Sequence, residues 1–416
     1  MSRQIPPEGA NRLGFLPNDR YRTIEEAKIV SMFHFAGWAC DRDAPDGDAK
    51  TREALAEWIE LGLGVRRHDQ TCFFDPAEVL NFIKYMGLRS GHPFWQDRMV
   101  TTARQLVSDM PKGAVDVSVQ LKRSFNTRLV APDVPLRLRL PLPLETSQLT
   151  QLRVLPALRH ASDRLSISRG RLEARLCTGG ATQVCLEAGF WFRAEARQGG
   201  ETDGSLDKSP YLRLRDGLIV VTPRIQALSD ELASAADATW LQIRQFWDFC
   251  LDAIKQGAVH YELLDISAPL DNLIDAGWGD CQLVSALFSA LCRAHGIPAR
   301  ILGGFYLYPH CPTNHYWAEA WIDGEGWAPF DFICWDLSAG GQDSVWRDVF
   351  FGRLDARLTN QCFPFDFTGA IGIPMPNGWH IVQGARNDGV TIDLLGLDGT
   401  PVYQDDIQVT LTPVTP

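Results

Sequence analysis

The stretch Gly279-Asp280-Cys281-Gln282-Leu283-Val284-Ser285-Ala286-Leu287-Phe288-Ser289-Ala290-Leu291-Cys292-Arg293-Ala294-His295-Gly296-Ile297-Pro298 decides how this chain is read. Leu283, Val284, Ala286, Leu287, Phe288, Ala290, Leu291 and Ala294 make it apolar nearly all the way round, the pattern of a helix buried inside a domain. Asp280 is a good N-cap, and Gly296 followed by Pro298 is a helix stop. Cys281 then falls in the first helical turn, where unpaired N–H groups and the macrodipole favour a thiolate and can receive an oxyanion.

Two runs of strand character follow. His315-Tyr316-Trp317-Ala318-Glu319-Ala320-Trp321-Ile322 leads into the turn Asp323-Gly324-Glu325-Gly326, and Trp327-Ala328-Pro329-Phe330-Asp331-Phe332-Ile333 returns. His315 and Asp331 are separated by an even number of residues with Asp323 at the midpoint. A hairpin folded about Asp323 would place them directly opposite each other. A turn centred at Gly324-Glu325 would put them on opposite faces unless a bulge intervened. A helix-start cysteine with a histidine and a carboxylate is the minimum set for thiol nucleophilic catalysis: Cys281 attacks, His315 moves the proton, and Asp331 orients the imidazole.

These residues carry a resemblance. Gly279-Asp280-Cys281, Arg293, Gly296-Ile297-Pro298-Ala299-Arg300, His315 through Trp321 and Gly326 through Asp331 resemble the transglutaminase-like superfamily, a branch of the papain-like cysteine enzymes, over about residues 225–335. The resemblance implies an α+β fold with a papain/transglutaminase-like core, its nucleophile helix packed on an antiparallel sheet, and the triad Cys281, His315 and Asp331. It also implies a thioester acyl-enzyme formed from an amide or thioester and passed to water or an amine, as in an amidase, peptidase, acyltransferase or amide synthase. In the family a tryptophan upstream of the cysteine helps bind the oxyanion. Trp247 lies at a comparable distance, but no local motif anchors it, and it is not assigned to the site. A scaffold that keeps the fold without the chemistry is the competing reading. The presence of both cysteine and histidine argues against it.

Outward from this core, four segments are expected: a helical accessory domain over 1–112, a β-rich domain over 113–205, the catalytic core over 206–345, and a C-terminal extension with short strands over 346–416. The helical reading of about Thr23 to Met110 rests on amphipathic runs at Ile24–Phe33 and Arg52–Ile59 and on the Asp75-Pro76 start before Val79–Tyr85. Asp116–Leu121, Leu136–Leu140 and Phe190–Ala194 alternate with period two, as antiparallel strands with one wet face do. Gln198–Ser205 reads as an exposed linker and Ser229 to about Lys255 as one helix. Val390–Leu395 and Ile407–Leu411 read as strands.

Composition narrows the partners. The 416 residues are 45% hydrophobic and carry a formal charge of −11, without a basic cluster. That disfavours a nucleic-acid binder or an anionic-membrane binder. The first twenty residues lack the apolar run of a secretion signal and no segment is long enough to span a membrane, so a soluble cytoplasmic protein is expected. The substrate is expected to be a peptide, protein or carrier-tethered acyl group, because accessory regions make up more than half of the chain.

Ten cysteines stand without a CxxC pair and are expected to be mostly free, buried thiols, Cys292 among them. No cofactor or metal is expected: His310-Cys311 lacks further spaced ligands. Asp41–Asp48 departs from a calcium-loop pattern in the placement of its glycine and of Glu53, and Pro45 occupies a ligand position, so a solvated acidic loop is expected. Arg300 and Glu319 read as a structural ion pair.

Overall fold

In the computed structural model of this chain the residues described are 53, 55–57, 59–60, 65–66, 72–73, 81, 101–108, 114–128, 130–144, 149–155, 164–168, 171–198, 207–234, 238–257, 259, 264–265, 267–307, 314–362, 366–368, 374–376, 392–395, 401–404 and 408–413. The acidic loop over 41–48, the amphipathic run over 24–33, the linker over 199–205 and His310-Cys311 lie outside them.

The principal elements are α1 (Thr101–Ser108), β1 (Ala114–Asn126), β2 (Pro135–Pro141), β3 (Leu149–Leu155), β4 (Arg164–Ser168), β5 (Arg171–Cys177) and β6 (Gln183–Glu195). Then come α2 (Pro223–Ala233), α3 (Thr239–Ala253), β7 (Lys255–Gln256), α4 (Pro269–Ala276), β8 (Trp278–Gly279) and α5 (Cys281–Ala294). After these are β9 (Ala299–Tyr306), β10 (Asn314–Ile322), β11 (Gly326–Phe330), α6 (Cys334–Leu337), β12 (Arg357–Cys362), β13 (Ile392–Leu395), β14 (Pro401–Gln404) and β15 (Gln408–Pro413). Mixed helix and antiparallel strand make the fold α+β.

In the β-rich part, β1 and β6 pair antiparallel along their whole length, from Ala114–Glu195 to Asn126–Gln183. Val117, Val119 and Leu121 alternate inward with Phe190, Phe192 and Ala194, which is the period-two pattern of the sequence. The strands near the C-terminus do not form a unit of their own: β15 runs antiparallel along β1 from Gln408–Lys122 to Pro413–Val117, and β14 pairs with the end of the same strand. β2, β5 and β4 form a separate three-stranded sheet.

The core sheet has the order β11-β10-β9-β12, so it continues past residue 345. α5 is buried from Gln282 to Arg293 and shares one core with α2, α3 and α4 and with Ile301, Tyr316, Ala318 and Phe330 of the sheet. Phe305 of β9 and Leu358 of β12 belong instead to the core of the β-rich part, which therefore packs against the same two strands. A bulge lies between Gly303 and Gly304 where β9 meets β12. A Cβ on Gly304 would sit 1.9 Å from the Leu358 carbonyl oxygen, so this close strand approach requires glycine.

Two expectations are corrected. The single helix over Ser229–Lys255 is two, α2 and α3, with Thr222 capping the first through a hydrogen bond from the Ile225 N–H. The helical reading of Thr23–Met110 fails at Val65–Arg66, which pairs antiparallel with Cys72–Phe73. Gly62 and Gly64 interrupt helical propensity just before that pair, and Val65 and Phe73 favour strand. α1 is tied to the core by Arg104: its Nε donates to the Leu337 carbonyl at 2.9 Å, it pairs with Asp343, and its guanidinium lies 5.2 Å from the Trp346 ring centroid. Among the described residues, no helix is long and apolar enough to cross a membrane.

Candidate active site

The nucleophile helix is set by the segment just before it. β8 runs parallel to β7, and the Gly257 N–H donates to the Gly279 carbonyl at 2.8 Å. A Cβ at Gly279 would meet Leu273 Cδ1 at 2.5 Å and Val284 Cγ2 at 3.1 Å, so a side chain here would have to displace the core packing at the start of the helix. Asp280 accepts from the Leu283 N–H at 2.9 Å and caps α5 as the sequence predicts. Asp280→Ala is expected to cost about 1 kcal/mol of stability, read from chemical denaturation.

Cys281 is half-buried at the first position of α5, and its Sγ accepts hydrogen bonds from the backbone N–H groups of Tyr316 and Gln282. Burial, with the nearby carboxylates of Asp280 and Asp331, pushes the thiol well above its usual pKa despite those N–H groups. Burial thus opposes the thiolate that the helix start favours. Cys292 is fully buried and its thiol is likewise pushed up by burial, as befits a core residue. Seven cysteines are free thiols: Cys250, Cys292 and Cys334 are buried, Cys281, Cys185 and Cys362 are half-buried, and Cys177 is exposed.

His315 and Asp331 meet: His315 Nε2 lies 2.7 Å from Asp331 Oδ1. The hairpin register that brings them together is not the one centred on Asp323. Ala318 pairs with Phe330 and Ile322 with Gly326, so the ladder is centred on Gly324. Gly324 and Gly326 adopt φ of +85° and +96°, and this three-residue turn shifts the register by two along the return strand. His315 and Asp331 consequently share a face but sit diagonally rather than opposite, a spacing that a histidine side chain spans. Nε2 is thus committed to the carboxylate, which leaves Nδ1 as the other ring nitrogen.

Asp331 is fully buried. Its Oδ1 also accepts from the Ile333 N–H at 2.8 Å, and its Oδ2 lies 2.5 Å from Arg357 Nη1. Burial acts to raise its pKa, but the facing His315 and Arg357 and these hydrogen bonds outweigh it and hold the carboxyl well below the usual carboxylate range. Arg357 is also held by Asp355, Nε to Oδ1 at 2.8 Å. The Arg357 guanidinium lies 4.6 Å from the Tyr306 ring centroid, and Tyr306 stacks on His315 with centroids 4.8 Å apart. Sequence reading does not identify Tyr306, Asp355 or Arg357. Tyr306 and Arg357 fall on other strands and Asp355 just before one, outside any local motif.

Arg300 and Glu319 form the expected ion pair, with Arg300 Nη2 2.6 Å from Glu319 Oε2; Arg197 pairs with the other carboxylate oxygen. Trp247 is fully buried, its Nε1 donating to Asp348 Oδ1 at 3.3 Å and its ring packed 4.8 Å from Phe332. That commits its N–H away from the thiol. Among the described residues no group of three or more His, Cys, Asp or Glu side chains could hold a metal ion.

Residues 226–332 match the Transglutaminase-like superfamily. The chain carries a transglutaminase-like core. Cys281, His315 and Asp331 all fall within the matched segment of this core, which supports a cysteine-based enzyme in general terms. Among solved structures, a candidate cysteine protease from Cytophaga hutchinsonii is similar at 13% identity, covering 73% of this chain and 92% of that one, with a TM-score of 0.46. The periplasmic domain of TgpA from Pseudomonas aeruginosa is similar at 17% identity, covering 59% and 94%, with a TM-score of 0.28. None of the curated proteins matches the chain.

Proposed function

We propose that this protein is a cysteine-dependent acyl-transfer enzyme in which Cys281 is the nucleophile, His315 the general base and acid, and Asp331 the group that orients the imidazole. The observation that carries this reading is the 2.7 Å contact between His315 Nε2 and Asp331 Oδ1 beside a helix-start cysteine whose sulfur touches the Tyr316 N–H. His315 Nδ1 takes the thiol proton as Sγ bonds to the acyl carbon, and the backbone N–H groups at the start of α5 receive the developing oxyanion. The C–N or C–S bond then breaks, and the leaving group takes the proton from His315. A thioester on Cys281 remains. His315 next removes a proton from water or an amine as that nucleophile attacks, and Sγ leaves with the proton returned. The substrate is a peptide, protein or carrier-tethered acyl group.

Trapping the acyl-enzyme from a cell extract tests this: a mass added to the Cys281 peptide supports the reading and identifies the donor. Modification only at other cysteines would reject it. Asp331→Asn is expected to lower turnover on the order of 10³-fold, since it keeps the shape but weakens support of the imidazolium. Turnover within twofold of wild type would remove Asp331 from the mechanism.

The sign of the pH effect follows from its lowered pKa. A carboxyl held low in the native state stabilises the fold fully above its unfolded value, about pH 4, and loses that contribution as pH falls through the native value. The stability gap between wild type and Asp331→Asn should therefore shrink on acidification below about pH 4 in denaturation curves.

A further inference from the structure

The carboxylate beside His315 is not held by His315 alone. Arg357 reaches it from β12, the far edge strand of the core sheet, with Nη1 2.5 Å from Asp331 Oδ2 and Nη2 2.7 Å from Asp355 Oδ1. Its side chain is 1% exposed, so the pair is shielded from solvent. Its guanidinium lies over Tyr306, which in turn stacks on the imidazole at an interplanar angle of 24°. Two independent restraints on His315 therefore run back to one side chain: the carboxylate on Nε2 and the ring packed on the imidazole face. Its Nε donates to Asp355 Oδ1 at 2.8 Å while Nη1 stands in ion-pair contact with Asp331 Oδ2, so one planar guanidinium meets both carboxylates in a geometry that an ammonium does not reproduce.

We infer that Arg357 is a positioning residue for the thiol chemistry, fixing the Asp331 carboxylate toward His315 and, through Tyr306, the plane of the imidazole. The inference rests on the proposed roles of Cys281, His315 and Asp331. Without Arg357, the side-chain carboxylate of Asp331 keeps, among the described residues, the His315 and Ile333 contacts, both at Oδ1. Arg357 also offsets the carboxylate charge, so that Asp331 orients the imidazole without over-stabilising the imidazolium that must give its proton to the leaving group. The titratable groups around this cluster are Asp280 and Cys281 at the start of α5, His315 on β10, Cys334 on α6, and Asp348 and Asp355 before β12.

The test is the pH dependence of Cys281 carbamidomethylation by iodoacetamide in the full-length protein, read by peptide mass. In Arg357→Gln a positive charge is lost beside Asp331 and the Tyr306–His315 stack, making thiolate less favourable and imidazolium more favourable. Both limbs of the rate profile should rise by about one pH unit, and the plateau should fall about 10- to 100-fold through lost positioning. Arg357→Lys keeps the charge but not the fork, so its limbs stay in place while its plateau falls.

A folded Arg357→Gln protein with the wild-type profile overturns the inference. If that variant does not fold, a wild-type plateau in Arg357→Lys overturns it equally. Failure of the underlying reading looks different: in the wild type itself, Cys281 would react no faster than Cys292.

Discussion

Cys281→Ala is expected to abolish acyl transfer, lowering turnover by about 10⁴-fold or more, while leaving the fold intact. The loss is large because the attacking atom itself is removed, and neither Cys292 nor Cys334 can replace it. Cys292 lies more than two turns further along the same buried helix, and Cys334 is fully buried with its thiol pushed up by burial. The stability change is expected within about 1 kcal/mol, because a thiol-to-methyl exchange at a half-buried position alters little volume. Steady-state assay beside thermal denaturation separates the two effects. Turnover within tenfold of wild type would sink the assignment, and a collapse of the fold would mean that Cys281 is a packing residue. His315→Ala should produce a similar loss of Cys281 alkylation at neutral pH, since burial leaves the thiol protonated unless a base takes its proton.

The parts of this site legible in the sequence are those encoded locally. The Asp280 cap, the apolar run of α5 and the Gly296 stop announce one buried helix, and aromatic alternation announces β10 and β11. Cys281, His315 and Asp331 stand in these segments and could be named from them. Their mutual geometry was harder. A register depends on which residue centres the turn, and Gly324 and Gly326 are both able to take positive φ, so a one-residue difference in centre moved the His315 partner by two. Arg357 was invisible for a different reason. It follows Asp331 by 26 residues on a strand with no pattern of its own, and only the insertion of β12 beside β9 brings it to the carboxylate. The attachment of β14 and β15 to β1 is likewise non-local: the strands could be read, but not the sheet they join.

Glu319→Gln is expected to destabilise the fold by about 3–5 kcal/mol without impairing the chemistry. Glu319 is fully buried on β10, on the same face as His315 and four residues from it, so proximity alone suggests a role in the reaction. Its contacts argue otherwise. Both carboxylate oxygens are used, one by Arg300 and one by Arg197, and Arg197 also donates to the Trp327 carbonyl at 3.2 Å. The Arg300 guanidinium lies 4.1 Å from the Trp327 ring centroid, so the ion cluster joins β9, β10, β11 and the Arg197 segment at the end of the sheet away from the thiol. Removing the central anion leaves two largely buried guanidinium groups facing an amide, and the uncompensated charge is what costs stability. The measurement is urea denaturation, in which the midpoint should fall while the slope stays constant, together with Cys281 alkylation on the folded protein. Alkylation should remain within threefold of wild type, since the His315–Asp331 contact is untouched. The reverse pattern, a stable variant with an unreactive Cys281, would move Glu319 from the framework into the chemistry.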